Sequence, residues 1–468
     1  MMETADLTVP GVTKSAARAP YPADAPNTYL TGNYGPVLEE VSADRLVVEG
    51  AIPPALDGLF LRNGPNPMEV ADMATHHWFL GDGMVHGTRL KDGQALWYRN
   101  RFVRSHETAG HIGEAGVPGP RRSPIDVVNT HVQAFGGKIF ALVESGPYPI
   151  ELDADLNNVA YSDFSGTLDG SWAAHPHADP VCNEWHAITY DVGVKDTVWH
   201  VVVGPDLKVK RRVAVAVEDG PMMHDFALTE RYVVLLDMPV VWDDEASAGG
   251  NIFPYHWREG RPARVGLLPR DGDAASVRWI EVDPCYSFHV ANAFDDAEGS
   301  VHIDLVVHPR MFDKNRTGPN EGIPVMERWT IAANATRVER KVTLSQPHEF
   351  PRVDERLFGR EHRFIYAAGV QMDRGSSFCL DTKTGALKVH DHGQLRFGSE
   401  CVFVPRSTDA AESDGWVLAY VWDARSNTSD LVIIDTNSFD GAAVAKIKLP
   451  VRVPFGFHGS WIAQAELS

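Results

Sequence analysis

Short apolar runs, each closed by glycine, proline, asparagine or aspartate, recur along nearly the whole chain, and few windows carry a 3.6-residue period. HVQAFGGKIFALVES, RYVVLLDMPVVW, HVANAFDDAEGSVHIDLVVH and GWVLAYVWD are typical. Such text reads as strands and turns rather than helices. One hairpin is legible in detail: Met84–Leu90 and Ala95–Val103 flank Lys91-Asp92-Gly93, where Asp-Gly favours a tight turn. With 468 residues, length alone suggests about three domains of ~150 residues each. A ring of blades is the all-β alternative, and hairpin-rich units spaced ~45–60 residues apart suit it better than a sandwich. The stretches around Val103–Ser123 and Asp244–Arg261 lack strand alternation and read as loops or short helices over one face. Residues 1–27, rich in Ala, Pro and polar groups, read as an extended or flexible arm, leaving 28–468 as a single domain.

Charge narrows the partners. With 43 basic against 63 acidic residues the net charge is −20, which excludes the basic surface that nucleic acid requires. It also weakens electrostatic docking on anionic lipid, although a hydrophobic patch could still touch a membrane. Four cysteines, Cys182, Cys285, Cys379 and Cys401, stand apart without metal-finger spacing and read as reduced thiols. The N-terminus shows no apolar signal core, and no run approaches the ~18 apolar residues of a membrane span. The expectation is a cytoplasmic protein, with peripheral membrane contact left open. Oligomeric state is not legible.

Four histidines sit in similar apolar, strand-edge settings: His175 in AAHPHADP, His224 in PMMHDFALTE, His289 in SFHVANAF and His458 in GFHGSW. They lie 49, 65 and 169 residues apart, unlike zinc fingers or HExxH helices. Such spacing fits a ring in which different blades each aim one imidazole at the axis. Four neutral imidazoles would leave a divalent ion its full charge and open positions, which suits Fe(II) and O2 better than structural zinc. Ligating imidazoles need a partner for the second N–H. Glu144 in FALVES, Glu349 in PHEFPR and Glu400 in GSECVFVPR lie in buried-looking contexts where an unpaired carboxylate would be costly. His177 follows His175 by two residues, and spacing cannot choose between them. His76-His77-Trp78 reads as pocket wall or packing, Met222-Met223 as core filling, and Asp243-Asp244-Glu245 as a solvated loop.

These motifs resemble the carotenoid cleavage oxygenases, non-haem iron enzymes that split alkenes with O2. The resemblance runs from TGNYGPV through LRNGPNP, GDGMVHG, AHPHADP, MMHDFALTE, FHVANAF, HEFPRVD, ECVFVPR and SDLVIIDT to FHGSW. It implies a seven-bladed β-propeller with a helix and loop cap over the metal face. It also implies one Fe(II) per chain on His175, His224, His289 and His458, with O2 as co-substrate. Glu144, Glu349 and Glu400 would orient His224, His289 and His458, leaving His175 without a carboxylate.

For substrate, the branch that cleaves phenolic stilbenes holds the phenol with a tyrosine and a lysine. Phe102 and Val143 occupy the matching positions here, and Phe79 matches an aromatic channel position. A phenol pressed against Phe102 and Val143 would lose its hydrogen bonds. The implied substrate is therefore a hydrophobic alkene of the carotenoid or apocarotenoid type, cleaved to two carbonyl products. Stilbene or phenylpropenoid cleavage, an isomerohydrolase using the same site, and a non-enzymatic propeller scaffold are the alternatives.

Overall fold

The computed structural model describes residues 12–14, 21–123, 125–370 and 374–467. Antiparallel sheets follow one another in chain order and form a seven-bladed β-propeller. Blade 2 opens with His131–Phe135, blade 3 with His177–Asp179, blade 4 with Ala227–Leu228, blade 5 with Val290–Asp295 and blade 6 with His348–Arg352. Each of these five blades has four strands. Blade 7 is built on Gly415–Asp423 and Thr428–Asp435, with Val402–Pro405 and Arg396–Gly398 both paired to Gly415–Asp423. Blade 1 joins the two ends of the chain: Gly459–Ala463 pairs antiparallel with Gly58–Pro65. A second closure pairs Val48–Gly50 with Ala445–Lys448. A Cβ at Gly459 would collide with the Leu61 carbonyl, so the residue after His458 must be glycine for this last strand to dock.

The sequence signals act as expected in several places. Asp92 and Gly93 both take positive φ, 49° and 72°, and join strands Gly83–Lys91 and Gln94–Phe102. Val103–Ser123 holds a helix, His106–Ile112, started by the Ser105 hydroxyl accepting from the Thr108 N–H and ended by Gly113 at φ 77°. Asp243-Asp244-Glu245 is not a loop: the Asp243 carboxylate accepts from the Ala246 N–H and caps helix Asp244–Ala248. Beyond that helix, Tyr255–Trp257 pairs with Val240–Trp242 as a two-stranded ribbon, so this region is only partly irregular. The N-terminal arm is also revised: Val12–Lys14 pairs with Val41–Asp44 and extends blade 1. Residues 1–11 and 15–20 lie outside the described residues.

Neighbouring blades bury their facing sheets against each other. Between blades 2 and 3, Phe135 and Phe140 meet Trp185 and Val201, with Phe135 stacked on Trp185 at 4.9 Å. Burial of each such side chain contributes roughly 1.5–3 kcal/mol, and together these contacts fix the first strands of the blades around the axis. Among the described residues no helix is long and apolar enough to cross a membrane. Cys285, Cys379 and Cys401 are buried free thiols, and Cys182 is an exposed one.

Candidate metal centre

Three blades open within three residues of a histidine, and a fourth histidine precedes the strand that closes blade 1. His175 precedes the first strand of blade 3, His224 that of blade 4, His289 that of blade 5, and His458 the closing strand of blade 1. One nitrogen from each falls within 4.8 Å of the others. The Nε2 atoms of His175 and His224 are 3.0 Å apart, and the His458 ring lies 4.4 Å from that of His175 and 4.7 Å from that of His289. His177 does not join them. Its Nε2 bonds Asp225 Oδ1 at 3.1 Å, because His177 opens strand His177–Asp179 whereas His175 lies before it, outside the strand to which the same-face rule applies.

Each of three imidazoles bonds a glutamate through Nδ1. His224 meets Glu144, His289 meets Glu349 at 2.6 Å, and His458 meets Glu400 at 2.9 Å. The carboxylates are held in turn by different groups. Glu144 also accepts from the Tyr190 hydroxyl. Glu349 takes His308 Nε2 and the Phe350 N–H, each at 2.7 Å. Glu400 takes the Gly459 N–H at 2.8 Å and the Arg352 guanidinium at 2.9 Å. Phe350 has φ +56°, in the left-handed region that a bulky residue rarely adopts, within a register shift beside Glu349. Its ring lies 5.2 Å from that of His289 and 5.3 Å from that of His458.

Burial and charge set the protonation states. Burial pushes His458 down to about 4 against the pull of Glu400. His175 is held well below the ordinary value, first by burial and then by four imidazole neighbours, His458, His224, His289 and His131. Burial also disfavours charge on His289, but the Glu349 carboxylate outweighs it and raises His289. Burial would raise Glu349 and Glu400. The His289 and His308 contacts overcome this at Glu349, and Arg352 followed by His458 overcomes it at Glu400, so both remain ionised.

This donor set fits a divalent ion. An Nδ1 that donates to a carboxylate leaves Nε2 as a bare lone pair. Three such lone pairs, with His175 as a fourth donor, converge on one point, where a divalent cation would satisfy all of them. Nitrogens about 2.1 Å from one metal would be roughly 3.0 Å apart when adjacent and about 4.2 Å apart when opposite, a spread these four nitrogens can meet.

A cavity of about 470 Å³ ends on His224, His289 and His458. Its wall is mainly aromatic, including Trp78, Phe79, Phe253, Phe288 and Phe457, and Phe79 packs edge-on against Phe457 at 5.4 Å. Val143 also lines it. Phe102 does not, which corrects the expectation that it would touch substrate. With Tyr98 and Asn100 it shares the buried face of strand Gln94–Phe102, and it packs with Val37, Met68 and Met84. His77 stacks on Phe253 at 3.8 Å as packing, and Met222 and Met223 are buried in the core.

Sequence reasoning missed Tyr190, His308, Arg352, Asp225 and His131. Asp225 Oδ2 accepts from the Val290 N–H at 2.8 Å and ties the His224 segment to that of His289. Only its place beside His224 hinted at a role. Arg352 lies in the same PHEFPR run as Glu349, but its partner Glu400 is on the next blade, and the partners of Tyr190, His308 and His131 likewise belong to neighbouring blades.

Comparison with known proteins agrees with this geometry. The family model described as retinal pigment epithelial membrane protein, RPE65, matches residues 34–463. A carotenoid cleavage oxygenase of Mycobacterium tuberculosis is 37% identical over 94% of this chain and 98% of its own length. The carotenoid 9,10(9',10')-cleavage dioxygenase 1 of Phaseolus vulgaris is 30% identical over 96% of this chain and 91% of its own. Among solved structures, a lignostilbene dioxygenase of Pseudomonas brassicacearum superposes with TM-score 0.83 at 26% identity, covering 96% of this chain and 99% of that one. Cobalt-substituted ACO of Synechocystis gives 0.82 at 26% identity, covering 92% and 97%. A propeller whose blades bring four imidazoles to one centre, matched along nearly its whole length, places this chain in the RPE65/carotenoid cleavage oxygenase family.

Proposed function

We propose that the chain is an Fe(II)-dependent dioxygenase that cleaves a C=C bond of a carotenoid or apocarotenoid with O2, giving two carbonyl products. The observation that carries this reading is the meeting of four imidazoles at the end of an aromatic cavity. His175, His224, His289 and His458 would hold the iron, and Glu144, Glu349 and Glu400 would fix the tautomers of the last three. The bound iron would supply the activation of O2 that a closed-shell alkene lacks. The remaining work belongs to the chain's own side chains. Phe79, Phe253, Phe288 and Phe457 take the polyene out of water and set which double bond lies beside the histidines. Both atoms of O2 enter the two products, so the reaction balances without a further oxidant.

Val143 favours this substrate class over phenolic alkenes, because an apolar wall there offers a phenol no hydrogen bond. The cavity mouth adds a route of entry. Val192, Ile252 and Val370 line the cavity and are 51%, 60% and 46% exposed. These residues would rest on a neutral or zwitterionic lipid surface, from which an apolar substrate can enter without crossing water. The test is aerobic incubation of Fe(II)-loaded protein with a carotenoid, several apocarotenals, a hydroxystilbene and a propenylphenol, read by product mass. Carbonyl fragments from the polyenes alone are expected. Cleavage confined to the phenolic compounds would overturn the substrate assignment, and stoichiometric protein without bound iron would overturn the enzyme.

A further inference from the structure

His175 is the one histidine of the four with no glutamate bonded to it. Its position is instead restrained through its backbone. On the C-terminal side Pro176 confines His175 to extended conformations. On the N-terminal side the carbonyl of Ala174 takes a hydrogen bond from Nδ1 of His131 at 3.0 Å. A carbonyl only accepts, so Nδ1 carries the hydrogen.

His131 is itself firmly placed. It is 4% exposed and begins the first strand of blade 2, pairing with Leu142, and its own carbonyl accepts from the Asn63 side chain at 3.1 Å. Its ring lies 6.0 Å from that of His175 and 5.1 Å from that of His458, and its Nε2 is buried without a partner. The arrangement completes a pattern. Four first or closing strands follow the histidines, blade 6 carries Glu349, blade 7 carries Glu400 between its strands Arg396–Gly398 and Val402–Pro405, and blade 2 begins with His131. All seven blades thus send at least one group to the centre, and blade 2 sends two, His131 and Glu144.

We infer that His131 is the positioning residue for His175, taking through the Ala174 carbonyl the part that a carboxylate plays for the other three histidines. This rests on the metal-centre reading above. It predicts that the Nδ1 donor matters, rather than bulk or polarity at this position.

Two isosteric variants separate these. In His131→Asn the amide nitrogen falls where Nδ1 was and keeps a donor toward Ala174. In His131→Gln it falls near Nε2 and does not. Dissociation constants for Co(II), measured by chelator competition on the purified full chain, are expected to rise about tenfold for His131→Gln, the low end of the loss when a ligand's supporting partner is removed. His131→Asn should stay close to wild type. In a His175→Ala background, His131→Gln should add nothing, since its only route of action is gone. Equal affinities for wild type and His131→Gln would overturn the inference. So would an Asn variant that falls as far as Gln, or a tenfold loss that persists without His175. A wild-type protein that binds no Co(II) would overturn the metal centre and this inference together, which distinguishes the two failures.

Discussion

The chamber on one side of the histidines and the chamber on the other are made from the same propeller but from opposite chemistry. The larger, about 470 Å³, is walled by Phe79, Phe253, Phe288 and Phe457. The smaller, about 40 Å³, is lined by Gln133, His177, Asp225, Arg352, Glu355 and Glu400, and shares His289, His458 and Phe350 with the first. In the first, side chains are interchangeable within limits of volume, because dispersion and burial have no direction. In the second, each group answers a specific neighbour: Arg352 faces Glu400, and Asp225 faces both His177 and the Val290 N–H. The contrast assigns substrate choice to the aromatic wall and ligand geometry to the polar groups, of which Arg352 and Glu400 line the small chamber and Glu144 and Glu349 the histidine end of the larger one. It follows that errors on the polar side should cost metal and stability, whereas errors on the apolar side should cost selectivity.

The boundary itself should be least tolerant. His224→Ala removes one donor and leaves Glu144 without its imidazole. Stoichiometric metal and more than about 100-fold in turnover should be lost, exceeding the loss typical of an outer partner; metal analysis and product formation check this. A His224→Ala protein that kept full metal and turnover would erase the boundary.

On the polar side, Arg352→Met strands the buried Glu400 carboxylate. Denaturant unfolding should register a loss of about 3–5 kcal/mol, as for a broken buried ion pair. A volume-conserving change on the apolar side, Met222→Leu, should cost less than about 1.5 kcal/mol and leave metal content unchanged. Equal losses at the two positions would remove the distinction.

Two substitutions sharpen what the apolar side reads. Val143→Lys puts an amine into the cavity wall and should suppress polyene cleavage while improving binding of a hydroxystilbene, read by competitive turnover. Phe102→Tyr buries a hydroxyl among Val37, Met68 and Met84, away from the cavity. It should cost about 1–3 kcal/mol in stability without changing substrate preference. At the rim, Ile252→Asp should alter stability by no more than about 0.5 kcal/mol. It should still lower turnover of substrate held in zwitterionic vesicles relative to substrate in detergent.

The same contrast explains what could be read from the residues alone. Blades were legible because turn chemistry is local: Asp92-Gly93 announces its hairpin whatever surrounds it. Resemblance along the chain pointed to the four histidines and chose His175 over His177, which spacing alone had left equivalent. Phe102 was misassigned because a position in an alignment does not say which face of a strand is buried. Tyr190, His308, Arg352 and His131 were out of reach because their partners lie on other blades, and only closure of the ring brings them together. Val12–Lys14, three residues without alternation, carried no strand signal of its own.

In the proposed function, four imidazoles from four blades would hold the iron, and the alkene would lie beside them in the aromatic chamber. Turnover of an apocarotenal by Fe(II)-loaded protein under 18O2, with products analysed by mass before exchange with water, tests it most directly. The account predicts one labelled oxygen in each of the two carbonyl fragments, and none from His224→Ala. Fragments carrying only solvent oxygen, or an intact rearranged polyene, would contradict it.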